Sequence, residues 1–418
     1  MRSRLLLAVF AMVLVIPAVI SRGSDATRAQ DEIAPLKIGA LLPFTGDLSD
    51  FGQPMFNAMQ LAVDEINEAG GVNGSPVELV QADDGTAPQQ SVEEARRLVE
   101  VEGVSAIIGP AGSGQALQVI ESVTAPGSIL HFSHSATSNA LTTVEDNDFF
   151  FRTTIADSAQ GVVMADVAQS LGYASACTMY INNAYGQGLS EVFADAFTAL
   201  GGTITAQVPH ESEQGSFVSE LTTCTEGNPD VLVAISYPES MGLYLREAIE
   251  QQLVENFIFS DGGRSPDMFA ELGWSSFEGM QGTSAGAPDT SAGDLFDTSY
   301  EAAFETQPSI PYLREGYDAV YLIALAAEAA DSVDPAAIRD ALRDVANPEG
   351  EVVGPGVEEF TRALELIAAG TDIDYEGAAG SQNLDENGDV LTGTINIWAV
   401  QGEEVVVIES RDVDLSES

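Results

Sequence analysis

Lysine is all but missing from this sequence: Lys37 is the only one in 418 residues. Arginine supplies the rest of the positive charge, so 15 basic residues face 65 acidic ones, for a formal net charge of −50 and a pI near 4.1. Such a surface repels phosphate backbones and anionic lipid headgroups, which argues against nucleic acid or an acidic membrane surface as partner. Acid excess with so little lysine suits concentrated salt, where repulsion between carboxylates is screened within about 3 Å at 1 M. An acidic surface kept for solubility alone is the other reading.

Histidine is also scarce, with His131, His134 and His210 the full set. No cysteine or paired acid stands near them, so neither a metal site nor a histidine general base is expected. Cysteine is limited to Cys177 and Cys224. In an exported chain the two would form a disulfide, worth about 4 kcal/mol in the chain-entropy model, or else stand as two separately buried thiols.

Long apolar runs are few. The one that stands out, Leu5 to Ile20, is shorter than the roughly 20 residues a bilayer-spanning helix needs. Arg2 and Arg4 precede it, Pro17 interrupts it and small residues follow, so residues 1–29 read as an export signal cleaved after Ala26 or Ala29. An uncleaved anchor is the alternative, and the lack of a nearby cysteine excludes a lipidated N-terminus.

What is present is apolar material for more than one core: 45% hydrophobic residues and a mean hydropathy of +0.07 over a length that exceeds a single domain. After residue 35, short β-type runs alternate with helical patterns, the signature of βαβ units on a parallel sheet. Strands are expected at Leu36 to Leu42, Val77 to Gln81, Val104 to Ile108 and Ser128 to Phe132, with helices over Pro54 to Ala69 and Ser91 to Glu100. A second series follows, with strands at Ala176 to Ile181, Thr203 to Val208, Val231 to Ile235 and Asn256 to Phe259, and helices between them. Beyond these, Tyr317 to Asp331, Pro335 to Val345 and Val357 to Ala369 read as helices. Gly380 to Ile408 reads as a β-hairpin turning at Asn387-Gly388.

Few motifs carry chemistry. Ile107 to Gln115 is an apolar strand, a glycine-rich turn and a helix start, an arrangement that binds phosphate or carboxylate or is merely an ordinary βα turn. It matches neither nucleotide-binding spacing nor the hydrolase elbow, since Ala111 and Gln115 stand where the elbow needs glycine. Ser133 to Ser138 closes the next strand with hydroxyls that bond a ligand or cap a helix. Asp385 to Asp389 opens like a calcium loop but has Val390 at the sixth position and Asn396 at the twelfth, so a polar turn is the plainer reading. Asp261, in the Ser260-Asp261-Gly262-Gly263 turn, is either a turn aspartate or a partner for a ligand ammonium.

Taken in order, several runs carry a resemblance: Ile38-Gly-Ala-Leu-Leu-Pro-Phe-Thr-Gly46, Ala62-Val-Asp-Glu-Ile-Asn-Glu-Ala-Gly-Gly-Val-Asn-Gly74, Ile108-Gly-Pro-Ala-Gly-Ser113, Ser135-Ala-Thr137, Ala184-Tyr-Gly-Gln-Gly188 and Glu315-Gly-Tyr-Asp-Ala-Val320. Over residues 36–408 the chain resembles the type I periplasmic binding proteins, specifically the leucine/isoleucine/valine-binding family of ABC importers. The resemblance implies an α/β fold of two doubly wound parallel-sheet lobes joined by a three-strand hinge. Lobe 1 would comprise residues 36–154 and 288–378, lobe 2 residues 155–287 and 379–410, with crossings near Thr153 to Ala156, Ala285 to Asp289 and Gly377 to Gln382. It places a ligand carboxylate on Ser113 and Thr137, with the backbone of Ser135 and Ala136 beside it, and the ligand ammonium on Asp261. Phe51, Tyr185, Tyr237 and Tyr312 would line the pocket. Asp261 is shorter than the glutamate frequent in the family, and His134 stands where proline is frequent.

The expected function is capture of an amino acid, branched-chain above all, by a monomeric extracytoplasmic protein that serves ABC permease subunits without any cofactor. A binder of urea, short amides or aromatic acids, or a ligand-sensing receptor domain, keeps the same fold. An exported hydrolase would need an activated nucleophile with a positioned base, and no such set is visible.

Overall fold

A computed structural model describes residues 34–416 apart from 213 and 308; the expected export segment, residues 1–29, lies outside the described residues. The first lobe begins with β1 (Leu36–Leu42), α1 (Ser49–Glu68), β2 (Val77–Asp83), α2 (Pro88–Arg97) and β3 (Ala106–Ile108). It continues with α3 (Ser113–Val119), prolonged by a π turn into α4 (Ala125–Gly127), then β4 (Leu130–Ser133) and β5 (Phe150–Arg152). These strands pair in parallel in the order β2-β1-β3-β4-β5. Helices cover both faces of such a sheet, which is why β1 and β3 are near-continuous apolar runs rather than alternating ones.

The second lobe repeats the plan with α5 (Asp157–Ser170), β6 (Ser175–Ile181), α6 (Ala184–Ala199), β7 (Thr203–His210), α7 (Val218–Thr225), β8 (Val231–Ile235), α8 (Pro238–Glu250), β9 (Phe257–Phe259), α9 (Pro266–Leu272) and β10 (Gln281–Gly286). The parallel part of its sheet runs β7-β6-β8-β9-β10, the same winding as the first. The chain then returns through α10 (Ser291–Phe304), α11 (Leu313–Ala329), α12 (Pro335–Ala346), β11 (Glu351–Val353), α13 (Val357–Ala368), β12 (Ile373–Gly377) and β13 (Gly380–Ser381). Helix α11, buried from Glu315 to Ala327, packs on α1 and α12. The closing pair, β14 (Thr392–Gln401) and β15 (Glu404–Asp414), adds antiparallel strands to β10. Among the described residues the chain passes from the five-stranded sheet to the seven-stranded one after Arg152, leaves it after Gly286 and returns to it after Ser381.

Two features differ from the sequence reading. Helix α1 starts at Ser49, five residues before Pro54, which sits inside it. Proline fits a first helical turn well and invites a start there, but the turn from Gly46 to Leu48 already feeds the helix, through hydrogen bonds from Ser49 N to Gly46 O and Phe51 N to Leu48 O. Gly52 makes this entry possible, because a Cβ there would lie 2.3 Å from the Pro43 carbonyl oxygen.

Asn387-Gly388 does close a tight turn, but the long hairpin turns at Gly402 instead. Only the single bridge Leu384↔Val390 flanks the earlier turn. Its backbone is held elsewhere: Arg152 N donates to Gly388 O at 2.8 Å, and the fully buried Arg152 guanidinium forms a bidentate pair with Asp389. Asp385 accepts from the N–H groups of Asn387 and Asp389, so the acidic loop resembling a calcium site is a polar turn tied to β5. No cluster of His, Cys, Asp and Glu suited to a metal occurs among the described residues.

Cys177 in β6 and Cys224 in α7 are joined by a disulfide with a Cα–Cα distance of 5.6 Å. No helix among the described residues is long and apolar enough to cross a membrane.

Candidate functional site

In each sheet the strand order reverses between the first and third strands, β1 against β3 and β6 against β8, and open α/β sheets hold ligands at the carboxyl ends beside such a switch. The candidate residues collect at these ends. Phe51 lies in the first turn of α1, Ser113 opens α3, and Ser135, Ala136 and Thr137 follow β4. Across from them, Tyr185 opens α6, Tyr237 precedes α8 and Asp261 follows β9, while Tyr312 leads into α11. Gly109 makes the close approach on the first side: its φ is +100°, and a Cβ would stand 2.0 Å from the Leu41 carbonyl oxygen.

A cavity lies between the two sets, lined by Phe51, Met55, Ser113, Ser135, Tyr185, Tyr237, Asp261 and Tyr312 with short stretches of neighbouring backbone. Ala136 and Thr137 are buried next to it rather than part of its wall. The Ala136 N–H is taken by Ser133 Oγ at 2.9 Å, whereas Thr137 Oγ1 is buried without a hydrogen-bond partner. Ser113 Oγ accepts from the Ser138 N–H at 3.2 Å, which leaves its own hydrogen for another acceptor.

Asp261 is fixed from several sides. Tyr185 Oη and Gln160 Nε2 donate to its Oδ1 at 2.7 and 2.8 Å, and Tyr312 Oη donates to its Oδ2 at 2.7 Å. Tyr312 holds this position with a φ of +71°, a backbone strain of about 1–3 kcal/mol of the kind that collects at functional sites. Burial, reinforced by the nearby Asp261 charge, raises the ionisation of Tyr185 and Tyr312 well above the usual phenol range, so both stay hydrogen-bond donors. Tyr185 and Tyr237 stack with centroids 5.7 Å apart and form a flat wall.

The histidines take no part in acid–base chemistry here. Burial pushes His134 down to about 3 and His131 down to about 4, so both rings are neutral at ordinary pH. His134 Nε2 contacts Met55 Sδ at 3.1 Å and backs the cavity wall. A larger and more open space on the far side of Tyr312 is lined by Arg264, Phe296, Asp297, Leu313, Arg314 and Glu315. There Arg314 is already paired with Asp297.

Reading the sequence missed Gln160 and Asp157, both on α5. Gln160 orients Asp261, and Asp157 is a fully buried acid in the first helical turn. An acid and an amide three residues apart, just after a lobe crossing, was the available signal.

The lobes meet in direct contact around the cavity. Ser240 Oγ donates to Asp47 Oδ2 at 2.6 Å, Ser265 Oγ to Asp50, and Ser138 Oγ to the Ala184 carbonyl at 2.9 Å. A family profile described as periplasmic binding protein matches residues 35–362. The chain belongs to the periplasmic binding proteins. Its fold is that of type I, and it is 25% identical to a leucine-binding protein, LivK, of Thermotoga maritima, with a TM-score of 0.76 over 92% of this chain and 100% of that one. Among curated relatives, it is 29% identical to the chemotactic signal transduction system substrate-binding protein BasB of Halobacterium salinarum over 91% of this chain and 89% of the relative. It is 27% identical to Leu/Ile/Val-binding protein homolog 1 of Brucella abortus, over 78% and 85% respectively. In this periplasmic binding protein the cavity lies between the strand ends of the two parallel sheets.

Proposed function

We propose that this protein is the extracytoplasmic solute-binding subunit of an ABC importer, and that it captures an α-amino acid with a branched apolar side chain. One observation carries the reading: the Ser113 hydroxyl at one set of strand ends lines the same apolar and aromatic cavity as the Asp261 carboxylate at the other, with Thr137 buried beside it. A zwitterion needs donors for its carboxylate and an acceptor for its ammonium, and charge-assisted hydrogen bonds strengthen where water is excluded. Phe51, Met55, Tyr185, Tyr237 and Tyr312 would hold the side chain, an apolar and aromatic lining with a few placed polar groups of the kind usual for ligand pockets. Lobe 1 is taken as residues 36–154 and 288–378, lobe 2 as 155–287 and 379–410. The protein would be exported through its first 29 residues, act as a monomer without catalysis, and present its closed lobes to permease subunits.

A second reading, sensing for chemotaxis, is favoured by the name of the Halobacterium relative. The same closed lobes would then be read by a membrane transducer instead of a permease.

A thermal-shift panel in high salt tests the ligand class, since a solute that binds the folded state alone raises the melting temperature. Leucine, isoleucine and valine should raise it most, by an amount equivalent to about 2.7 kcal/mol at a hundredfold excess over Kd. A shift with urea, short amides or benzoate and none with amino acids would contradict the amino-acid reading. Loss of labelled leucine uptake on gene deletion supports the importer role; loss of leucine taxis with uptake intact supports the sensing role.

A further inference from the structure

The open space behind Tyr312 is lined by a cation that lacks a counter-ion. Arg264 follows β9 of the seven-stranded sheet, and among the described residues no carboxylate forms an ion pair with it. The one protein hydrogen bond of its guanidinium among those residues runs from Nη1 to Ser284 Oγ at 3.2 Å, and Nε is buried without a partner. A charge withdrawn from water is normally paired, because a single neutral acceptor does not offset its desolvation. With 65 acidic residues in the chain, acids are not in short supply, yet none is placed against Arg264.

The opposite wall is electropositive as well. Leu313, Arg314 and Glu315, the first three residues of α11, line the same space, and no side chain caps that helix. A helix start carries partial positive charge and N–H groups without intrahelical acceptors. The charge of Arg314 is met by Asp297 at 2.7 Å. Glu315 is the remaining acid, and burial pushes it up to about 8, so at neutral pH it mostly keeps its proton and leaves Arg264 unbalanced. Burial lowers Arg264 only to about 10, which keeps the guanidinium charged.

We propose that this space is a second ligand site, for a small monovalent anion (chloride or a short carboxylate) held between Arg264 and the start of α11, and that its occupancy tightens solute capture in the neighbouring cavity. Tyr312 is the wall between the two, lining both while its Oη donates to Asp261. The Arg264 N–H donates to the Asp261 carbonyl at 2.9 Å, so the two side chains sit on one short turn. Helix α11 packs on α1, whereas Arg264 belongs to the seven-stranded sheet, so an anion shared by them draws together the same two sides that line the solute cavity. By linkage the solute tightens the anion by the same factor. Ionisation of Glu315 supplies an internal counter-ion and repels the ligand, so anion affinity should fall as pH rises through about 8.

The coupling rests on the solute-binding reading above; the anion site does not, and the test keeps them apart. The full chain is held in sodium gluconate at constant ionic strength, and chloride binding is read from the broadening of the chloride NMR line. Broadening is expected at about pH 7 and should shrink by about pH 9. Arg264→Gln should weaken chloride roughly tenfold or more, the loss of a charge-assisted contact. Glu315→Gln should keep the broadening at the higher pH, which tests the site even if the arginine variant fails to fold. Sharpening of the line by acetate assigns the site to carboxylates as well; no sharpening assigns it to chloride alone. No broadening in the wild type, or broadening that persists in folded Arg264→Gln, means an adventitious ion only and overturns the site. Replacing gluconate by chloride should tighten leucine about fivefold or more. Leucine binding indifferent to chloride overturns the coupling, and a protein that binds chloride at Arg264 but no amino acid keeps the anion site and overturns the amino-acid reading.

Discussion

Ser240 Oγ donates a hydrogen bond to Asp47 Oδ2 at 2.6 Å although 193 residues separate the two. Asp47 precedes α1 of the first lobe and Ser240 lies in the first turn of α8 of the second, so the bond exists only while the lobes are together. Ser265 and Asp50 repeat the arrangement further along the rim. A hydrogen bond contributes about 0.5–1.5 kcal/mol, and up to about 3 kcal/mol when its acceptor is charged, so the lower range is a floor for these two contacts. The double variant Ser240→Ala, Ser265→Ala should therefore speed ligand release by roughly five- to a hundred-fold, with little change in association rate. Stopped-flow displacement measures both, and slower association with unchanged release would contradict the role in closure.

The Cys177–Cys224 bond spans 47 residues and ties α7 to β6, so reduction should release a long loop in the unfolded chain. The chain-entropy model assigns such a loop about 4 kcal/mol. Thermal unfolding with and without reductant should show a clear drop in melting temperature, while leucine affinity below the transition stays nearly unchanged because the bond lies away from the cavity lining.

Burial pushes Glu315 up to about 8 and Asp84 up to about 7. A carboxyl raised in the folded state stabilises the fold below its ordinary range near 4, and that contribution is lost as pH rises through the folded value. At constant high salt the melting temperature should fall between about pH 5 and pH 8. Glu315→Gln should flatten the upper part of that decline. A melting temperature that rises steadily over this window in the wild type would contradict the account.

Much of the architecture was legible because buried parallel strands are short apolar runs, as at Leu36–Leu42 and Val231–Ile235, whose bounds match the expected ones residue for residue. Local signals misled where the chain has a competing partner. Pro54 looked like a helix start until the Gly46–Leu48 turn took that role, and Asn387-Gly388 looked like the turn of a long hairpin although Arg152 draws its backbone to β5. The nine expected pocket residues fall at strand ends around one cavity, seven of them in its wall. Asp157 escaped notice because its meaning depends on Asp261, about a hundred residues later and on a different strand end.

The central claim is that the cavity holds a zwitterion by its ammonium on Asp261. The most direct measurement is calorimetric titration of leucine, valine and a series of uncharged amides into the wild type and into Asp261→Asn. The substitution keeps the shape while removing the charge and turning one acceptor oxygen into a donor, so amino acids should weaken by roughly 2–5 kcal/mol, the range for truncating one partner of a buried charge pair. An uncharged ligand should weaken far less. If leucine binds both proteins equally, or if the wild type ignores every amino acid and binds an amide, the ammonium does not sit on Asp261 and the account fails.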